Sequence, residues 1–268
     1  MSGCSGKNRR KVPFRGGGFT TRPVRHAGWV VLAVLIAVLE WGTRAGWIAE
    51  LTLPRPSNVA MTLAELYRSG LLWTHLAPSL LRLLIGSALG VGAGVLTGLM
   101  MGLFSYVRAG LLPLVAALFP VPKIALLPLF VIWFGIGEAS KYALIAFGAF
   151  MPMVVATYGA VDNVDRTLVR MGQSYGLSWL SIVRKIILPG ALPGIFSGLR
   201  ISLAIAIILL VAAEMIGAEH GIGAYILQAG SLYDLERLFT GVVILSVIGL
   251  TISKGLDLLE RRLLRWRN

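Results

Sequence analysis

Apolar residues in this chain run in long blocks separated by short polar stretches. Six windows, roughly 27–48, 78–104, 110–134, 140–160, 194–217 and 238–259, each supply about 20 mostly apolar residues, the length a helix needs to cross a bilayer. The pattern predicts an all-α polytopic membrane protein with about six transmembrane helices. The first window carries opposite charges near its end. Glu40 and Arg44 lie four residues apart on one helix face, where they can pair and lower the cost of insertion.

Composition narrows the class. A chain of 268 residues that is 56% hydrophobic and 14% charged, with mean hydropathy +0.79, is neither disordered nor an ordinary soluble domain. The single Cys4 excludes a disulfide-built module. The net charge of +13 would suggest a nucleic-acid partner in a soluble protein, but the cations gather at span ends, as topology requires, and no basic helix interleaves aromatics for base stacking. No nucleic-acid partner is expected; the lipid bilayer is. One side of the spans receives only Arg44, Arg55, Arg68, Lys141 and Arg237. The other receives the basic tail, residues 1–26, together with Arg108, Arg166, Arg170, Arg184, Lys185, Arg261, Arg262, Arg265 and Arg267. The excess marks the cytosolic side, so both termini are expected there, and the tail, which lacks a cleavage site, reads as retained. Residues 27–268 then form the membrane domain.

Two spans carry unusual residues. In the second, Gly86, Gly90, Gly94, Gly98 and Gly102 recur every four residues, the stripe that lets another helix approach closely in lipid. In the third, Pro113, Pro120, Pro122 and Pro128 preclude a straight helix, and broken backbone at membrane depth is tolerated where it is packed in protein or lines a cavity. Lys123 follows Pro122 near mid-membrane; it either faces a solute pathway or snorkels and pairs with a carboxylate.

The segment 161–193 between the fourth and fifth windows is too polar to insert and too patterned for a linker. Asp165 caps a short helix that ends at Gly176, a left-handed C-terminal position. Ser178 caps a second, with Leu180, Val183, Ile186 and Ile187 on an apolar arc, which is expected to stop at Pro189. Two amphipathic helices outside the bilayer need a covering surface.

The run Gly176-Leu177-Ser178-Trp179, ending in Ile186-Ile187-Leu188-Pro189, resembles the second half of the EAA loop of ABC importer permeases. Arg170-Met171-Gly172 stands where that family has Glu-Ala-Ala. Pro122-Lys123-Ile124-Ala125-Leu126-Leu127-Pro128, Trp133-Phe134-Gly135-Ile136-Gly137-Glu138, Gly198-Leu199-Arg200, Ala213-Glu214-Met215 and Gly221-Ile222-Gly223 are similar to its nitrate, sulfonate, taurine and bicarbonate branch. The resemblance implies a homodimeric inner-membrane permease of a bacterium. Two cytosolic ATPase subunits, which bind the ATP and Mg, would dock on a coupling loop, and an extracytoplasmic binding protein would deliver the solute. Arg170, Tyr175, Gly176, Leu177, Trp179, Leu180, Ile182 and Pro189 are the residues it places at the ATPase contact.

This chain houses no ATPase of its own, because no Walker A pattern occurs and no lysine precedes Ser or Thr. No cofactor is expected in it. His26, His75 and His220 are far apart in sequence, so no metal site is expected. Glu214 has three readings: solute contact, a structural pair, or an interfacial residue. The pair is favoured because intramembrane carboxylates find partners. Arg200 is a secondary pathway candidate that can instead snorkel. A small anion such as a sulfonate, taurine, nitrate or a carboxylate suits Lys123 in an apolar wall. The alternatives are an ion-gradient-driven secondary transporter, which usually shows paired broken helices, and an intramembrane enzyme, for which no catalytic grouping is visible.

Overall fold

The computed structural model describes residues 27–49 and 52–264; the basic tail, with Cys4 and His26, and residues 265–268 lie outside the described residues. The elements are α1 (Ala27–Arg44), α2 (Pro56–Arg68), α3 (Leu71–Leu103), α4 (Ser105–Leu118), a 3₁₀ turn (Lys123–Leu126), α5 (Leu127–Phe134), α6 (Glu138–Asp162), α7 (Arg166–Ser174), α8 (Trp179–Ile182), a π turn (Val183–Ile187), α9 (Leu188–Gly217), α10 (Ile222–Ser231) and α11 (Leu235–Leu263). Among the described residues there is no strand.

Among the described residues four stretches are long and apolar enough to cross a bilayer: Leu71–Leu103, Glu138–Asp162, Trp179–Gly217 and Leu235–Leu263. Ser105–Leu118 and Lys123–Phe134 make a fifth if taken as one span bent by 92°. The bend follows from the prolines: Pro120 and Pro122 cannot donate backbone hydrogen bonds, and α4 ends before them. The first apolar window became the 18-residue α1, about 27 Å long at 1.5 Å per residue and thus on the short side for a bilayer core. It is tied to α2 through Glu40, which accepts from the Ser57 amide at 3.0 Å and the Ser57 hydroxyl at 2.9 Å and also pairs with Arg44 at 2.7 Å.

The centre of the bundle is α3, α6 and α9. A Cβ on Gly86 would lie 2.7 Å from the Ile145 side chain, one on Gly94 2.7 Å from Met153 and 2.9 Å from the Phe150 carbonyl, one on Gly98 2.6 Å from Thr157, and one on Gly102 2.5 Å from Val161. Partner numbers rise with glycine numbers, so α3 and α6 run parallel with their backbones in contact. The bent α4 to α5 segment returns the chain to the end where α6 begins. On its other face α6 meets α9 antiparallel: Gly148 packs under Leu209, while Gly194 abuts Ala160 and Gly198 abuts Ala156. A continuous apolar core joins Leu83, Ile145, Ala149, Ala206, Leu210, Ile222 and Ile244.

The expected stop at Pro189 is not observed. The second loop helix continues through the π turn into α9, and Pro189 sits in the first turn of α9. Proline is tolerated there because a first-turn N–H has no intrahelical partner to lose. The irregular segment between α6 and the α8 to α9 rod is therefore shorter than 161–193, running from Asn163 to Ser178 around α7.

Close approach makes a definite prediction. Gly94→Leu should destabilise the purified protein by about 1–3 kcal/mol or more, since the obstacle includes backbone. Gly92→Ala, on the same helix but with open space around its Cβ position, should be neutral. A thermal melt in detergent in which both variants behave alike would remove the glycine stripe from its packing role.

Candidate functional site

At the end of the bundle opposite α7 lies an ion cluster built from four helices, in which Arg82, Lys141, Ser79 and Glu214 are buried while Glu138 is exposed. Arg82 of α3 is 5% exposed. Its Nε and Nη2 donate to the two oxygens of Glu138 at 2.6 and 2.7 Å, and its Nη1 donates to Glu214 Oε1 at 2.8 Å and to the His220 carbonyl at 2.6 Å. Glu214, at the end of α9, is 1% exposed. It also accepts from the Ser79 hydroxyl at 2.7 Å and the Gly223 amide at 2.8 Å. Ser79 in turn accepts from the Ile222 amide at 2.8 Å. Lys141, one turn along α6, donates to Glu138 at 3.0 Å. Two cations thus balance two carboxylates, and every strong group has partners, the condition under which buried charge is tolerated. Arginine suits the position because its planar fork reaches three acceptors at once.

Glu214, favoured from sequence as a structural pair, is held in this cluster. The Gly221-Ile222-Gly223 run, noted from sequence among the motifs of the resemblance, forms its lid. A Cβ on Gly221 would lie 2.5 Å from the Glu214 carboxyl carbon, and one on Gly223 2.6 Å from the Val211 carbonyl. Both positions therefore require glycine, and Gly221 adopts φ +148 as well. The histidines also come together, contrary to their sequence separation: the His75 and His220 rings are 6.0 Å apart, and His75 Nδ1 sits 3.1 Å from the Gly221 carbonyl. Among the described residues no third ligand joins them.

The remaining pathway candidates lie elsewhere. Lys123, beside Pro122 in the 3₁₀ turn, donates to the Phe119 carbonyl left free at the end of α4 and lies 5.1 Å from the Phe119 ring. Arg200, on α9 near the loop end, pairs with Asp257 at 2.6 Å and with Glu260, both on α11. The structure does not bring Lys123, Arg200 and Glu214 into one site.

At the loop end, Asp165 caps α7 by accepting from the Thr167 amide at 2.7 Å, a bond that holds its carboxyl below the ordinary range. Gly176 takes φ +71, and Ser178 caps the following helix. Gly172 is the contact point between the two loop helices, since a Cβ there would lie 2.9 Å from Ile186. Tyr175, Leu177, Trp179 and Leu180 are exposed, and the Trp179 ring lies 5.7 Å from that of Phe104, also exposed. Ile182 departs from the expected contact set. It is 6% exposed, because it faces Gly172 and packs within the loop rather than towards a partner. Pro189, already placed in α9, is likewise part of the rod rather than the end of a docking helix.

Arg82, Lys141 and Ser79 were missed as site residues. Arg82 and Glu214 were visible as opposite charges stranded in apolar runs, and that mutual need was the available signal.

The chain matches the binding-protein-dependent transport system inner membrane component family over residues 90–265. It is 37% identical to a putative aliphatic sulfonates transport permease protein of Bacillus subtilis, over 90% of this chain and 87% of the relative. It is 39% identical to the taurine transport system permease protein of Escherichia coli, over 88% and 87%. The chain belongs to this permease family. It is an ABC transporter permease and a transport component rather than an enzyme. In fold it superimposes on the MetNI methionine ABC transporter, solved in inward-facing conformations, with TM-score 0.54 and 25% identity over 72% of the permease and 94% of that chain. A crystal structure of an amino acid ABC transporter gives TM-score 0.58 at 21% identity, over 75% and 97%. None of these relatives is an ion-gradient-driven carrier, which leaves that alternative without support.

Removing one member of the ion cluster exposes its coupling. Arg82→Met leaves Glu214 buried and unpaired, a loss of about 3–5 kcal/mol, and the yield of folded permease should collapse. In Arg82→Met with Glu214→Leu no buried charge is stranded at Glu214, so part of the loss should return. Additive losses in the double variant would show that the two side chains act independently.

Proposed function

We propose that this permease forms the translocation path of an ATP-binding-cassette importer for a small sulfonate-type anion. It would work as a homodimer in the bacterial inner membrane, with both termini cytosolic. The uncovered aromatic and aliphatic patch on the rigid loop, Tyr175, Leu177, Trp179 and Leu180 beside Phe104, carries the reading. It gathers where the loop meets the start of the Trp179–Gly217 stretch, and a groove on a cytosolic ATPase that binds ATP and Mg covers it. An extracytoplasmic binding protein would deliver solute at the ion-cluster end. The exposed apolar residues Ile132, Trp133, Phe134 and Ile136 on and after α5 suit contact with a second copy across the path. Residues 27–268 act as the membrane unit and 1–26 as its cytosolic tail. The choice of a sulfonate rests on the aliphatic sulfonate and taurine permeases to which the chain is similar, and Lys123 in an apolar wall is consistent with it.

The continuous path from Trp179 to Gly217 supplies the coupling. A displacement imposed on α8 passes through the π turn into α9 and arrives at Glu214, so closure of the ATPases at one end reaches the ion cluster at the other. Alternating access then follows as the two copies rock about a fixed path.

Gly176→Val puts a β-branched residue at positive φ in otherwise open space, a backbone strain of about 1–3 kcal/mol. The variant should fold in the membrane yet lose its ATPase on purification or hydrolyse ATP without uptake. Full co-purification and normal uptake would take the loop out of the coupling path. Lys123→Met keeps the stem and removes the charge; uptake of taurine or an alkanesulfonate should fall at least tenfold while assembly persists. Unchanged uptake would assign Lys123 solely to capping the Phe119 carbonyl.

A further inference from the structure

The loop carries more positive charge than its own fold can use. Arg166 and Arg170 lie one turn apart on α7, and both are exposed. The acidic residues near them are already engaged: Asp162 pairs with Arg108 at 3.1 Å, and Asp165 caps the Thr167 amide. Among the described residues neither guanidinium has an ion pair. Arg166 also opens a helix whose first turn contains no acidic residue, so it faces the positive end of the peptide dipoles, and like charges four apart oppose each other. Both features work against the isolated loop. They are reversed when carboxylates are brought alongside.

We propose that the ATPase surface received by this loop is acidic, and that Arg166 and Arg170 select it by pairing with its carboxylates. This rests on the docking reading above and adds the sign of the contact. Arg170 stands at the position where the resemblance leads one to expect glutamate, so the electrostatic polarity of the interface is inverted here. The arginines are presented in a fixed place, because Gly172 lets α7 seat against Ile186 of the π turn. Thr167, Gln173 and Ser174 extend the same exposed polar arc. That arc is rich in hydrogen-bonding groups, and the exposed Leu168 and Met171 beside it on the same helix add apolar area, a mixture of charge and apolar surface that fits a groove on a protein.

The test uses the full permease in nanodiscs of zwitterionic phosphatidylcholine. Its affinity for the ATPase subunit with which it co-purifies is measured at about 50 and about 500 mM salt, where exposed charges are progressively screened. Wild-type affinity should fall about tenfold or more across that range. Arg166→Gln with Arg170→Gln should start about tenfold weaker and respond little to salt, and the Glu pair should be weaker still. Tyr175→Ala with Trp179→Ala serves as the second arm. Arginine variants that bind with wild-type affinity and salt dependence, while the aromatic variant loses the ATPase, would refute the acidic complement and leave docking intact. If the aromatic variant also binds normally, the docking reading itself fails. An arginine effect that appears only when phosphatidylglycerol is added would assign the counter-charge to lipid and overturn the proposal.

Discussion

The backbone contact between α3 and α6 is the constraint from which the rest of the permease follows. In lipid, apolar side chains gain little by leaving one hydrocarbon environment for another, so helices associate through van der Waals contact over matched surfaces. Glycines at every fourth position give α3 a groove shallow enough for α6 to lie along it in parallel, with each glycine seated on a successive turn of its neighbour. Parallel helices cannot be consecutive in an up-and-down bundle. The α4 to α5 hairpin, with its prolines and sharp bend, is the return path this geometry demands. With α3 and α6 fixed, α9 packs antiparallel on the other face of α6, where Gly148, Gly194 and Gly198 again set the spacing.

That arrangement places distinct chemistry at the two ends. Where α3 and α6 begin and α9 finishes, charged residues from three apolar helices converge, and they are stable only because they neutralise one another. Where α6 ends and α9 starts, the chain leaves the bundle, forms a capped pair of short helices and re-enters as an uninterrupted rod. The π turn in that rod keeps the backbone helical while shifting the side chains that follow it, an arrangement often found at functional positions. The loop helices and the charged cluster therefore meet on one continuous element.

Much of this was legible from local chemistry. The glycine spacing announced close packing, the prolines announced a broken segment, and Asp165, Gly176 and Ser178 marked the loop helices because capping depends on neighbours in sequence. Contacts across the chain were harder. Arg82 and Glu214 each advertised an unmet need, but nothing in either neighbourhood named the other, and the clustering of His75 with His220 depended wholly on tertiary path. Pro189 was misread because the same residue that ends one helix can open the next. Ile182 was placed at the contact by resemblance, which says nothing of the direction a side chain faces; here it packs against Gly172.

The ion cluster also constrains the order of biogenesis. Arg82 is followed by Glu138 after 56 residues and by Glu214 after 132. At ribosomal rates of about 5–20 residues per second, the guanidinium waits on the order of 3–11 s for its first carboxylate and 7–26 s for its second. During that interval Arg82 has neither carboxylate to pair with, and its charge is tolerated only with access to water. A nascent chain interrupted before α9 leaves the clamp half made, with Glu138 in place and the Glu214 side of the guanidinium open.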